Sequence, residues 1–195
     1  MNGLIRNELE EEINTAVDIL LDGGVILYPT DTIWGLGSDI LHQEAVEKIY
    51  SLKKRERWQP LILLVSSIDM LKSYAINIHP RLENLLNVHG QPLTVIYDQV
   101  MGIPSYLRAK NGSVGIRICT DPYCIQLIEA LGRPITSTSA NLSGQPFPKY
   151  FGEVQSDILQ QVDFICTYRR DSREERSPSV MVRCDPNGEL DFIRV

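Results

Sequence analysis

Gly23-Gly24-Val25-Ile26-Leu27-Tyr28-Pro29-Thr30-Asp31-Thr32 decides the fold class. Four consecutive apolar residues, without polar alternation, have the pattern of a strand buried on both faces, as in a sheet covered by helices. Pro29 ends the run, and Thr30-Asp31-Thr32 opens a loop at the strand end. Upstream, Ile13, Ala16, Val17 and Leu20 recur at helical spacing. A helix is therefore predicted from Asn7 onward, with Asn7 and Glu10 resembling a capping pair and Gly23-Gly24 as its stop.

The same alternation continues downstream. Helices are predicted at Gln43 to Leu52, after Ser67, after Pro80 and around Glu153 to Gln160. Strands are predicted at Leu61 to Val65, Leu93 to Tyr97, Ser113 to Cys119, Ile135 to Thr138 and Val162 to Cys166. A closing pair, Val180 to Arg183 and Leu190 to Val195, turns through Asp185-Pro186-Asn187-Gly188. Asp121-Pro122 reads as an N-cap followed by proline at the first helical position, with Cys124, Ile125, Ile128 and Leu131 as the apolar face before Gly132. The class is α/β with a mixed sheet. Arg169 to Ser177, charged and poor in apolar residues, is expected to be a mobile surface loop.

The chain has 195 residues, 43% of them hydrophobic and 23% charged, which predicts one domain with a substantial core. Its net charge of −6 disfavours general nucleic-acid binding, so attraction for a polyanion has to come from local clusters. Two exist: Lys53, Lys54, Arg55 and Arg57, then Arg169, Arg170, Arg173 and Arg176. The N-terminus lacks the pattern of a signal peptide, and no apolar run approaches the ~20 residues that cross a bilayer. A cytoplasmic protein without membrane association is expected. Cys119, Cys124, Cys166 and Cys184 form no metal or redox motif and read as reduced thiols. His42, His79 and His89 are isolated and receive no chemistry.

Three segments carry groups able to do chemistry. Tyr28 to Thr32, followed by Gly35-Leu36-Gly37, places small hydroxyls and flexible glycines at a strand end, where ligands of open α/β sheets often bind; from these residues alone a capped turn is the favoured reading. Lys53 to Pro60 crowds cations just past a helix. A solvated helix end that complements the dipole accounts for this as well as a phosphate site does. Ser137-Thr138-Ser139-Ala140-Asn141-Leu142-Ser143-Gly144 supplies neutral donors directly after a buried strand. The P-loop, the dinucleotide fingerprint, the kinase set and the hydrolase elbow are all absent. From the residues alone, the reading stops at an α/β protein with a candidate anion site.

The order of these elements resembles the YrdC family of threonylcarbamoyl-AMP synthases over residues 10 to 195. The resemblance is carried by Tyr28 to Thr32 with Gly35-Leu36-Gly37, Lys53-x-Arg55 with Pro60-Leu61, Pro92-Leu93-Thr94, Gly115-Ile116-Arg117, and Ser137 to Gly144 with Pro146. It implies a twisted mixed sheet with flanking helices around a basic concave cavity that takes ATP, L-threonine and bicarbonate. Mg²⁺ would be carried with ATP, and no resident metal is expected. The threonine amine captures bicarbonate as a carbamate, whose oxygen attacks the α-phosphate to give threonylcarbamoyl-AMP and pyrophosphate. The product feeds N6-threonylcarbamoyladenosine formation in tRNA, which links the enzyme functionally to a separate threonylcarbamoyl transferase.

Carried over residue by residue, the resemblance implies Lys53 and Arg55 as the catalytic cations. It places Arg55, Gln59, Ser113, Ser137, Ser139, Asn141 and Arg194 on the ATP side, and Thr32, Arg117 and Ser179 around threonine. Fixed cations are needed because an anionic carbamate attacks a polyanion. Leu64 stands where many members place a histidine, and Arg183 where an acid is usual. The C-terminal extension domain of longer relatives is not expected. The competing readings are a non-catalytic paralogue that binds RNA in the same concavity, and a carbamoyl-transferring or hydrolytic enzyme.

Overall fold

The computed structural model describes the backbone of residues 2–194 and the side chains of residues 7–194; Met1 and Val195, the ends of the expected domain, lie outside them. The first helix, α1, runs Asn2–Leu21. The Asn7 and Glu10 pair is therefore inside the helix rather than at its start, because no proline interrupts the chain upstream and propagation costs little once a turn exists. Ile13, Ala16, Val17 and Leu20 are buried as their spacing predicts, and α1 packs on α5, Pro122–Leu131. Asp121 caps α5 by accepting from the main-chain N–H groups of Tyr123 at 3.0 Å and Cys124 at 3.2 Å, and Gly132 ends it in the left-handed region.

The strands are β1 Ile26–Tyr28, β2 Gly35–Gly37, β3 Ile62–Val65, β4 Leu93–Tyr97, β5 Val114–Ile118, β6 Ile135–Ser139, β7 Phe164–Ile165, β8 Val180–Cys184 and β9 Leu190–Arg194. They form one mixed sheet in the order β7-β1-β2-β6-β3-β5-β4-β8-β9. The remaining helices are α2 Gln43–Lys53, α3 Ile68–Lys72, α4 Pro80–Val88 and α6 Ser156–Leu159. The helix expected over Glu153 to Gln160 is broken, since extended backbone at Val154 and Gln155 separates a single 3-10 turn from α6. All four cysteines are free thiols.

The structure corrects the expectation that the glycines of Gly35-Leu36-Gly37 supply flexibility at a strand end. These residues are a buried strand that pairs antiparallel with both β1 and β6. Glycine is needed for closeness rather than mobility: a Cβ on Gly37 would lie 2.7 Å from Cε1 of Tyr28 and 2.9 Å from the Thr136 carbonyl oxygen. Gly37→Ala is accordingly expected to lower stability by about 1–3 kcal/mol, through overpacking against backbone that has no room to move. Urea denaturation measures this, and an unchanged midpoint would show that the strands yield easily.

Candidate active site

The floor of the site is the loop after β1. Thr30 donates its hydroxyl proton to the Ile33 carbonyl at 2.8 Å, so across the 2.8 Å contact between the two hydroxyls Thr32 must be the donor. Thr32 in turn accepts from Nη1 of Arg117 at 2.8 Å. Its remaining lone pair is an acceptor, and it has no proton to spare. Arg117, the penultimate residue of β5, is 2% exposed, and its Nη2 pairs with Oδ1 of Asp31 at 3.2 Å.

The four cations at the end of α2 and just beyond it do not act as one cluster. Lys54, in the left-handed conformation, ends the helix and reverses the chain, so neighbouring side chains diverge. Lys53 points inward, 1% exposed, and its Nζ donates to the main-chain carbonyls of Ser139 at 2.5 Å and Asn141 at 2.6 Å. Lys54 is exposed. Arg57 pairs with Glu47 and lies over the Tyr50 ring at 4.3 Å. Arg55 turns to the cavity, steered by bonds to the carbonyls of Gln59 at 2.9 Å and Pro60 at 3.3 Å.

Opposite this segment, β6 ends in Ser137, Thr138 and Ser139, and the turn beyond it is closed on itself. The Asn141 carboxamide donates to the carbonyls of Leu142 and Gln145 at 3.0 and 2.6 Å, and the Ser143 N–H donates to the Lys53 carbonyl at 2.8 Å. Lys53 thus ties the end of α2 to this turn.

Between the two lies a cavity of about 210 Å³ lined by Arg55, Arg117, Arg194, Ser137, Ser139 and Asn141 among others. Among the described residues, no carboxylate lines it. Burial lowers the pKa of both Arg55 and Arg194, and the charge of Arg117 adds to the fall at Arg194. Three guanidiniums facing one acid-free space are a site for an anion with several oxygens. A larger cavity, about 510 Å³, opens at the other end of β4 and β8 beside His79, Asp98 and Asp185. Among the described residues, no lysine or arginine lines it, so the smaller, convergent cavity is the better candidate.

Of the residues expected at the site, the structure brings Thr32, Arg55, Arg117, Ser137, Ser139, Asn141, Ser179 and Arg194 to the cavity wall. Three others lie off it. Lys53 is behind the wall, and Gln59 serves Arg55 through its carbonyl. Ser113 precedes β5 and is bonded to Asn111, four residues along the strand direction from Arg117 and so roughly 13 Å away. Leu64, fully buried, sits beside Arg117 in the pairing of β3 with β5. Phe147 and Met181 also line the cavity and Asp31 pairs with Arg117 off its wall, yet their types gave no signal: Asp31 reads as a turn residue and the other two as ordinary apolar positions.

The segment Arg169 to Ser177 differs from the expected mobile loop. It crosses from β7 at one sheet edge toward β8 near the other, and Arg169, Arg170 and Arg176 are committed to polypeptide carbonyls while Arg173 is exposed over the Tyr150 ring. Arg169 donates to the Thr30 carbonyl at 2.6 Å and pairs with Asp121 at 3.1 Å, Arg170 donates to the Ile165 carbonyl at 2.9 Å, and Arg176 donates to the Asp31 carbonyl at 3.3 Å. The two basic clusters therefore do not make one open cationic surface, which removes the observation that motivated an RNA-binding reading. Among the described residues, no helix is long and apolar enough to cross a membrane.

The Sua5/YciO/YrdC family model, described as "Telomere recombination", matches residues 18–195. A threonylcarbamoyl-AMP synthase of Vibrio cholerae is 37% identical over 157 residues, covering 79% of this chain and 84% of that protein. The crystal structure of Pyrococcus abyssi Sua5 complexed with L-threonine superposes with a TM-score of 0.81 at 26% identity, over 93% of this chain and 53% of that one. E. coli YciO gives a TM-score of 0.80 at 28% identity, over 93% and 87%.

Proposed function

The chain belongs to the Sua5/YciO/YrdC family, and on that premise we infer that it is a threonylcarbamoyl-AMP synthase, an ATP-using transferase that serves formation of N6-threonylcarbamoyladenosine in tRNA. The observation that carries this reading in the molecule itself is the acid-free cavity in which Arg55, Arg117 and Arg194 converge on one side of the Ser137 to Asn141 strand end. The continuous sheet supports treating the described residues as one domain.

L-threonine is assigned to the floor. Arg117 and Ser179 offer donors to its carboxylate, and Thr32, which has only a lone pair left, accepts from its hydroxyl. ATP is assigned above it, its phosphates facing Arg55 and Arg194 and the hydroxyls of Ser137 and Ser139. Bicarbonate enters between them: the threonine amine attacks its carbon, water is lost, and a carbamate results. A carbamate oxygen then bonds to the α-phosphorus while the bond to the bridging oxygen of pyrophosphate breaks. The guanidiniums offset the repulsion between two anions and the charge that grows on the leaving group. Mg²⁺ arrives as part of the nucleotide substrate. The wall supplies only neutral oxygens, so the phosphates themselves would hold the ion.

The experiment is a turnover assay with ATP, Mg²⁺, L-threonine and labelled bicarbonate. The expected result is labelled threonylcarbamoyl-AMP with stoichiometric pyrophosphate, and no ATP consumption when either threonine or bicarbonate is withheld. Pyrophosphate release that ignores both co-substrates would overturn the reading.

A further inference from the structure

Thr94 lies on β4 directly opposite Arg117 of β5 and one strand from Ser179, which stands just before β8. It does not line the cavity; it is fully buried beneath the wall, and its Oγ1 is 2.7 Å from Oγ of Ser179. Ser179 lines the cavity, and it is held from its other side by Arg194, whose Nη2 lies 3.2 Å from Oγ and 2.9 Å from the Ser179 carbonyl.

The proton positions follow from counting donors and acceptors. Arg194 has no lone pair to offer, so it donates to Ser179 Oγ. In the contact with Thr94 either hydroxyl could donate. If Ser179 did, the Thr94 proton would have no acceptor among the described residues, in a place that water does not reach. If Thr94 donates, its buried hydroxyl proton is satisfied by Ser179. Both lone pairs of Ser179 are then filled, by Arg194 and by Thr94, and its own proton is directed into the cavity.

We propose that Thr94 is a positioning residue that fixes Ser179 as an obligate hydrogen-bond donor, and that the pocket thereby selects a ligand whose anionic oxygen can only accept over one presenting an N–H at the same point. The inference rests on the functional reading above for the identity of that oxygen, which is the carboxylate of threonine. A phosphate oxygen of ATP shares the same chemistry. An amide NH₂ in that place meets a hydroxyl with no lone pair to offer. Thr94 touches no substrate and acts only through Ser179.

The test compares Thr94→Val, which keeps the shape and removes the proton, with Thr94→Ser, which keeps the proton. Calorimetric affinities are measured for L-threonine and L-threoninamide, and in a second arm for ATP and adenosine. In Thr94→Val, Ser179 regains a free lone pair, so the preference for threonine over threoninamide should narrow about tenfold, the worth of one hydrogen bond. Thr94→Ser should retain the wild-type ratio. A narrowing of the ATP to adenosine ratio instead would place a phosphate at Ser179 and still support the role of Thr94. Thr94→Val retaining the wild-type ratio in both arms would overturn it. Should the valine variant not fold, Thr94→Ala takes its place in both arms. Wild-type protein that neither binds threonine nor turns over defeats the functional reading, and Thr94 is then judged on the nucleotide arm alone.

Discussion

Lys53→Met should reduce turnover by at least about 100-fold while the chain remains folded, because the N–H donors of Lys53 hold the nucleotide side of the site in place from behind. Its Nζ reaches the carbonyls of Ser139 and Asn141 at 2.5 and 2.6 Å and the Asn141 carboxamide oxygen at 3.5 Å. All three acceptors belong to the turn that carries Ser139 and Asn141 to the cavity. Methionine fills a similar volume without donating, so each carbonyl loses a partner at a cost of about 1–3 kcal/mol unless the turn shifts to find another. A shift of ~1 Å is enough for the loss predicted. The expected signature is a fall in kcat together with weaker ATP binding, and near-normal activity would show that the turn holds itself.

The same residue predicts a pH dependence. Burial, and then the nearby Arg55 charge, lower the Lys53 ammonium from its ordinary 10.5 to about 7. Between these values the unfolded chain binds a proton that the folded chain does not. Stability contributed by this site therefore rises with pH across the window from about 7 to 10.5. The neutral amine keeps two N–H groups, enough for both carbonyls. Urea denaturation at several pH values should show wild type gaining on Lys53→Met as pH rises through that window, and parallel curves would contradict the lowered pKa.

Arg117→Met should abolish threonine-dependent turnover and cost about 3–5 kcal/mol of stability, because it strands the buried carboxylate of Asp31. Asp31 is 5% exposed at its side chain and would keep only the Thr120 main-chain N–H at 3.3 Å, the Thr120 hydroxyl and the Cys119 thiol. Arg117→Lys separates charge from geometry. The ammonium remains cationic beside Asp31, but one point charge does not span Asp31, Thr32 and a ligand as the planar fork does. The KM for threonine should rise more than tenfold, with the KM for ATP within about twofold of wild type. An equal rise in both would mean that Arg117 serves the nucleotide.

The same two residues show where local sequence signals end. Arg117 stands inside an apolar strand, and a charged residue there needs a partner and a purpose, so its importance is visible from its neighbours in the chain. Lys53 stands in a run of cations, where nothing local separates the buried one from the exposed ones. The left-handed turn at Lys54 does that: around it Lys53 goes to the carbonyls of Ser139 and Asn141, Arg55 to the cavity and Arg57 to the surface. The charge density of Arg169 to Ser177 likewise reads as solvated until the carbonyls of Thr30 and Asp31, far away in sequence, appear within reach of Arg169 and Arg176.

By itself the sequence determined the parts that depend on neighbours along the chain. The buried run at β1, the Asp121-Pro122 cap, the Gly132 stop and the α1 face are legible because periodicity and capping act over a few residues. The resemblance of the ordered segments to one family supplied the chemistry. Only the tertiary structure decided which cations reach the cavity, why Gly37 must lack a side chain, and which way the protons of Thr32 and Ser179 point. Each of those depends on a strand or turn brought alongside from elsewhere in the chain, and hydrogen-bond direction is settled only when every donor and acceptor around a group is in place.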